Sequence, residues 1–89
     1  MNLERKWALF VHESVVKASK KISPQDWTKI DEAIKLLPEN IFAGDAQKLK
    51  GEENVWRRRI GSYRLFYKLA KDEGVIIVFH LERRNSKTY

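Results

Sequence analysis

Three consecutive arginines, Arg57-Arg58-Arg59, are followed by a fourth, Arg64, across the dipeptide Gly61-Ser62. Gly-Ser between two strand-like runs is a two-residue hairpin turn, because glycine supplies the positive φ that such turns require. The turn pairs Ile60 with Tyr63, Arg59 with Arg64, and Arg57 with Phe66. Side chains alternate along a strand, and directly paired residues share a face with Cβ atoms about 4.5–5.5 Å apart. Arg57, Arg59, Arg64 and Phe66 therefore fall on one face, and Tyr63, Leu65, Tyr67 and Leu69 on the other. Like charges placed opposite one another repel, so three guanidinium groups in so small an area point to an anion between them. Arginine's planar fork suits a phosphate held through two parallel hydrogen bonds. The competing arrangement splays the arginines into solvent or pairs them with Glu52, Glu53 and Glu82.

The hairpin needs elements to hold it. Val55–Ile60 and Tyr63–Ala70 are its strands, and Val75–Leu81, after the turn Lys71-Asp72-Glu73-Gly74, is a third, apolar enough to be central. Near the N-terminus, Trp7, Leu9 and Val11 alternate with Ala8, Phe10 and His12, a period of two that predicts a strand over 6–12. Both of its faces are largely apolar, which predicts a strand covered on both sides or central in the sheet. Residues 13–22 place Val15, Val16, Ser19 and Ile22 near one helical face. Ser23-Pro24-Gln25-Asp26 is a helix start: a capping hydroxyl, proline at the first position and an acid in the first turn. Trp27, Ile30, Ile34 and Leu37 then recur at helical spacing until Pro38, which disfavours helical geometry at Leu37. The short link between the helices suggests an antiparallel pair. Residues 38–54 read as a loop with a tight turn at Gly51. The expected fold is α+β, in the order β-αα-βββ, with a helical hairpin packed on one face of a mostly antiparallel four-stranded sheet.

Composition bounds the function. A chain of 89 residues is one small domain, 1–89, with one core and no room for a separate cofactor fold. No cysteine is present, which excludes a disulfide scaffold, a thiolate zinc site and a cysteine nucleophile, and two histidines alone cannot fill a zinc shell. The N-terminal run MNLERKWALFVHE is too short and charged for a signal segment or a membrane span, so a soluble cytoplasmic domain is expected. The net charge is +6. Residues 1–46 hold seven basic and seven acidic side chains, so the whole excess comes from residues 47–89, with eleven basic against five acidic. A one-sided excess rich in arginine predicts a polyanionic partner.

The stretch Lys48-Leu49-Lys50-Gly51, the run Val55-Trp56-Arg57-Arg58-Arg59-Ile60-Gly61-Ser62-Tyr63-Arg64-Leu65-Phe66-Tyr67, and the tail Arg83…Tyr89 together resemble the RelE/ParE toxin superfamily. Length and element order are similar too, and the likeness covers essentially the whole chain. The resemblance implies the toxin of a type II toxin–antitoxin pair. In its RelE branch it implies a ribosome-dependent, metal-independent endoribonuclease with no cofactor, cutting mRNA in the A site by attack of a ribose 2′-OH. Arg57 and Arg59 stand where RelE-type toxins carry two basic residues, Arg64 matches the arginine of a Tyr-Arg pair, Arg83 the basic residue after the last strand, and Tyr89 a tail tyrosine. These matches imply that Arg59, Arg64, Arg83 and Tyr89 are catalytic and that Arg57 binds RNA. Arg59 and Arg64 would hold the scissile phosphate, and Arg83 would stabilise the leaving oxygen. Tyr89 would orient or deprotonate the 2′-OH, or stack on a base. Lys48, Lys50 and Arg84 would add RNA contacts, including diffuse attraction to 16S rRNA. The implied partners are a cognate antitoxin, the ribosome and its mRNA, with no membrane. A ParE-type gyrase inhibitor without nuclease activity, or a non-catalytic RNA-binding module, are the rival readings.

Two features sit outside this pattern. Arg58 occupies a position that is apolar in the family and faces the helices, which predicts a stem lying along the core with its head at the edge. His12, at a strand-to-helix junction, suits a cap, and His80 sits between Phe79 and Leu81 where it could reach the basic face.

Overall fold

The hairpin forms in the register that its turn dictates. In the computed structural model, which describes residues 7–42 and 45–83, Val55–Ile60 (β3) and Tyr63–Ala70 (β4) are joined through Gly61 at φ 57°, with Ile60 opposite Tyr63, Arg59 opposite Arg64 and Arg57 opposite Phe66. The remaining elements are β1 (Ala8–Val11), α1 (Glu13–Ser19), α2 (Pro24–Leu36), β2 (Asp45–Lys48) and β5 (Val75–Arg83). The sheet order is β1-β5-β4-β3-β2. Only the β1–β5 pair is parallel; the other three are antiparallel.

The fold is α+β with two helices on the sheet, as the element order implies, but the described residues form five strands rather than four. Asp45–Lys48, read from the sequence as loop, pairs antiparallel with β3. Its residues, Asp-Ala-Gln-Lys, carry no apolar alternation, and they extend because the edge of β3 offers unpaired backbone groups. The first strand is the other departure. It lies at the sheet edge rather than in its centre, and Phe10 is 55% exposed on the side away from the helices. α1 ends at Ser19, short of the expected Ile22, because the chain must turn before Ser23 starts the next helix. Leu37 keeps helical angles (φ −54°, ψ −43°) despite the proline after it, and α2 stops within a residue of the expected place.

Capping fixes both helices. The Ser23 hydroxyl accepts from the Asp26 N–H at 3.2 Å, and Pro24 opens the helix where no backbone donor is needed. The His12 ring caps α1 by accepting from the Ser14 N–H at 3.0 Å. The helical stripe predicted from spacing is the one that buries: Ile30, Ile34 and Leu37 are enclosed and Trp27 packs at their margin. They meet Leu65, Tyr67, Leu69, Ile76, Val78 and Leu81 on the inner face of the sheet. Each aliphatic side chain so enclosed stabilises the fold by about 2 kcal/mol.

Tyr67 carries a hydroxyl into this core. It is fully buried, and its hydroxyl donates to the Ile41 carbonyl at 2.6 Å. Burial pushes its ionisation up to about 12, with the Arg58 guanidinium pulling the other way. The native fold therefore keeps this proton while the unfolded chain, with an ordinary tyrosine, loses it at about pH 10. Stability is full below that pH and falls by about 1.4 kcal/mol per pH unit up to about pH 12. Urea unfolding of the wild type and of Tyr67→Phe across this range should show the steeper alkaline decline only in the wild type. Parallel declines would remove the argument.

Candidate functional site

Among the described residues the helix pair covers one face of the sheet, and the register delivers Arg57, Arg59 and Arg64 together to the other. Their cross-strand partners Phe66 and Arg64 on β4, and Gln47 on β2, define the same face. Arg57 donates to the Gln47 side-chain oxygen at 2.7 Å. Arg64 lies 3.4 Å from Glu82 of β5, its partner in the β4–β5 register. That pair is about a third exposed on both sides, so it contributes little to stability. It does, however, hold the Arg64 head in place. The Arg64 Nε is buried and finds no hydrogen-bond acceptor. Arg59 is exposed between Asp45 and Arg64 in the register. Of the acids that could have neutralised the cluster, Glu82 joins it. The face thus carries three guanidinium groups, of which Arg57 is bonded to Gln47, Arg64 lies against Glu82 and Arg59 has a partner of its own.

A β-bulge decides which side chains of β5 join this face. Phe66 pairs with His80, yet the next residue, Tyr67, pairs with Val78, so Phe79 is extra. Val78 and Leu81 are buried on the helix side, while Phe79 and His80 are both exposed. Uninterrupted alternation from Val78 would send His80 and Glu82 under the helices and Arg83 onto the arginine face. The inserted residue reverses all three, which is the usual effect of a bulge on the strand beyond it. The bulge is anchored from behind: the Ser14 hydroxyl donates to the Phe79 carbonyl at 3.2 Å, and the His12 N–H donates to the Val78 carbonyl at 2.8 Å.

The sequence-predicted site is therefore divided. Arg57, Arg59 and Arg64 are brought together. Arg83 goes to the other side, opposite Tyr63 in the register, with its guanidinium 5.8 Å from the centre of that ring. Lys48 pairs with Trp56, which places it on the helix side of the edge strand, and Lys50 is exposed in the following turn beside Gly51, at φ 79°. Arg84 and Tyr89 lie outside the described residues. Arg58 faces the helices as expected, and one of its terminal nitrogens is buried without an acceptor. One member of the site, Gln47, escaped the sequence reading, while Glu82 and His80 were named as able to reach this face without the reason that they do. Gln47 was hidden in a stretch with no strand signal. The position of Glu82 and His80 on this face depends on the bulge, which no residue pattern announces.

His80 completes the open face. Its Nε2 is 3.1 Å from one oxygen of Glu82, and its ring centre is 5.3 Å from that of Phe66. No group of three or more His, Cys, Asp or Glu side chains able to hold a metal exists among the described residues. No described helix is long and apolar enough to cross a membrane.

A helix pair on one side of a small sheet, with arginines gathered on the other side of its central hairpin, is the arrangement expected of the RelE/ParE toxins that the sequence resembles. The family model for the ParE toxin of type II toxin–antitoxin systems matches residues 9–87, and the chain belongs to that superfamily. A curated protein of Methanocaldococcus jannaschii that bears a RelE toxin name is 33% identical over 82 residues, 89% of this chain and 91% of that protein. The fold also matches the archaeal RelE–RelB complex of Pyrococcus horikoshii OT3, with a TM-score of 0.81 and 24% identity over 92% of this chain and 99% of the other. It is similar to the toxin in the intact Escherichia coli RelBE complex, with a TM-score of 0.72 and 20% identity over 91% and 99%. The chain is a RelE-family toxin of a type II toxin–antitoxin system.

Proposed function

We propose that the protein is a ribosome-dependent endoribonuclease that cuts mRNA in the A site, in the cytoplasm, and that a cognate antitoxin silences it. The observation that carries this reading is the convergence of Arg57, Arg59 and Arg64 on the helix-free face. Cleavage by a ribose 2′-OH puts extra negative charge on the phosphorus oxygens in the transition state. Fixed donors aimed at developing charge supply the largest single term in such reactions. Arg59 and Arg64 hold the scissile phosphate, Arg57 the neighbouring backbone, and Tyr89 orients the 2′-OH. The cations come from side chains, so the step draws on no cofactor. A tyrosine with an ionisation near 10 and arginines above about 12 are poor proton carriers at neutral pH. Such a site depends on its substrate being positioned for it, an effect worth several kcal/mol. Naked RNA should accordingly be cut far more slowly than message on a programmed ribosome. Primer extension on both templates checks this, and equal cleavage of free RNA would contradict it.

Support for an antitoxin partner comes from the solved neighbours, several of which are complexes of RelE with RelB. An acidic or amphipathic segment suits the cationic face. A second reading, gyrase inhibition without cleavage, is favoured by the match to the ParE family model. The two separate on induction in cells. Translation stops first if the message is the target, and DNA replication stops first, with an SOS response, if gyrase is.

A further inference from the structure

The arginines can hold charge but cannot deliver a proton, and the leaving 5′ oxygen needs one. An imidazole exchanges protons near neutral pH. His80 stands on the same face, half-exposed, with Nε2 3.1 Å from one oxygen of Glu82. The other oxygen of Glu82 lies 3.4 Å from Arg64. Two groups bonded to opposite oxygens of one carboxylate are close enough to meet neighbouring groups of a single nucleotide step. Arg83, which the resemblance would place beside the leaving oxygen, projects to the other side of the sheet. The bulge at Phe79 is what exchanges these positions, and bulges beside active sites commonly re-aim a side chain in this way.

We propose that His80 is the general acid of the cleavage and that Glu82 is its positioning residue. This rests on the nuclease reading. The imidazolium donates through Nε2 to Glu82, which leaves the Nδ1 proton for the substrate. The 2′ oxygen bonds to phosphorus and its proton passes to solvent water. The bond from phosphorus to the 5′ oxygen breaks, and that oxygen takes the Nδ1 proton. The products are a 2′,3′-cyclic phosphate and a 5′-hydroxyl, and His80 regains its proton from solvent. The charged groups around the ring are Glu82 on its own strand, Arg64 and Lys68 on β4, and Arg57 and Arg59 on β3. β1 offers none among its four residues, and the His12 ring is engaged in capping α1 from the other side.

A sulfur-substituted message separates acid catalysis from every other role. A bridging 5′-phosphorothiolate at the scissile bond leaves without protonation. On ribosomes programmed with the ordinary message, His80→Gln should be slower than wild type by about 10²–10⁴-fold. On the sulfur-substituted message it should recover to near the wild-type rate, whereas Arg64→Ala should stay slow on both. The wild-type rate should fall as pH rises and His80→Gln should lack that fall, while Glu82→Gln, which loses the group that orients the ring, should be slower on the ordinary message and recover in part on the sulfur-substituted one. His80→Gln running as fast as wild type on the ordinary message would overturn the proposal, as would equal slowness on both messages. In each case the nuclease reading stands, because the wild type still cuts. A wild-type protein that cuts neither message would overturn that reading and the acid role with it.

Discussion

Replacement of Arg64 by alanine is expected to slow cleavage of ribosome-bound message by about 10²–10³-fold, the usual cost of removing one fixed donor from a charge-stabilising site. Arg64 is the best-placed of the three cations. Its strand is internal to the sheet and its head is steadied by Glu82. Removing it also leaves Glu82 with His80 alone beside it where the phosphate must sit. Arg64→Lys should recover only part of the loss, since an ammonium cannot reproduce the two-pronged fork. Arg57→Ala should cost less, because Gln47 already occupies one of its donors. Single-turnover rates on a programmed ribosome measure all three. An Arg64→Ala protein within a few-fold of wild type would show that this guanidinium does not touch the transition state.

Leu65→Ala is expected to cost about 2–5 kcal/mol of stability. Leu65 is wholly enclosed, lies between Arg64 and Phe66 on β4, and faces the helices opposite Arg58. Truncation opens a cavity directly behind the arginine face. A domain of this size loses roughly 4–8 °C of Tm for each kcal/mol, so the variant should melt well below the wild type. At temperatures where it stays folded it should still cut, because the backbone register that presents Arg57, Arg59 and Arg64 is held by the hairpin itself. Thermal and urea unfolding test the first part and low-temperature cleavage the second. A loss under about 1 kcal/mol would mean that the core collapses freely around this position.

The parts of this molecule governed by local chemistry could be read from its residues. Gly61-Ser62 allows one hairpin register, and that register alone brings Arg57, Arg59 and Arg64 to a common face. Ser23, Pro24 and Asp26 define a helix start, and the Ile30–Ile34–Leu37 stripe defines its buried side. Harder to read was structure that one segment imposes on another. β2 is a strand only because β3 has a free edge. β1 looks central because Phe10 is apolar, yet the sheet ends there with that ring exposed on the open face. The Phe79 bulge exists because Tyr67 and Val78 pair across a step, with Ser14 and His12 bonding the carbonyls around it. That single insertion moved Arg83 away from the arginines and brought Glu82 and His80 to them. Period-two reasoning carries a side chain's direction only as far as the first irregularity in the strand.

The most direct test is the structure of the toxin on a ribosome whose A-site codon carries a 2′-deoxy nucleotide at the cleavage position, which blocks attack without altering the phosphate. The guanidinium groups of Arg59 and Arg64 should then lie within hydrogen-bond distance of the scissile phosphate, with Arg57 on its neighbour. Message bound against the helices, or crossing the sheet without meeting these three side chains, would contradict it.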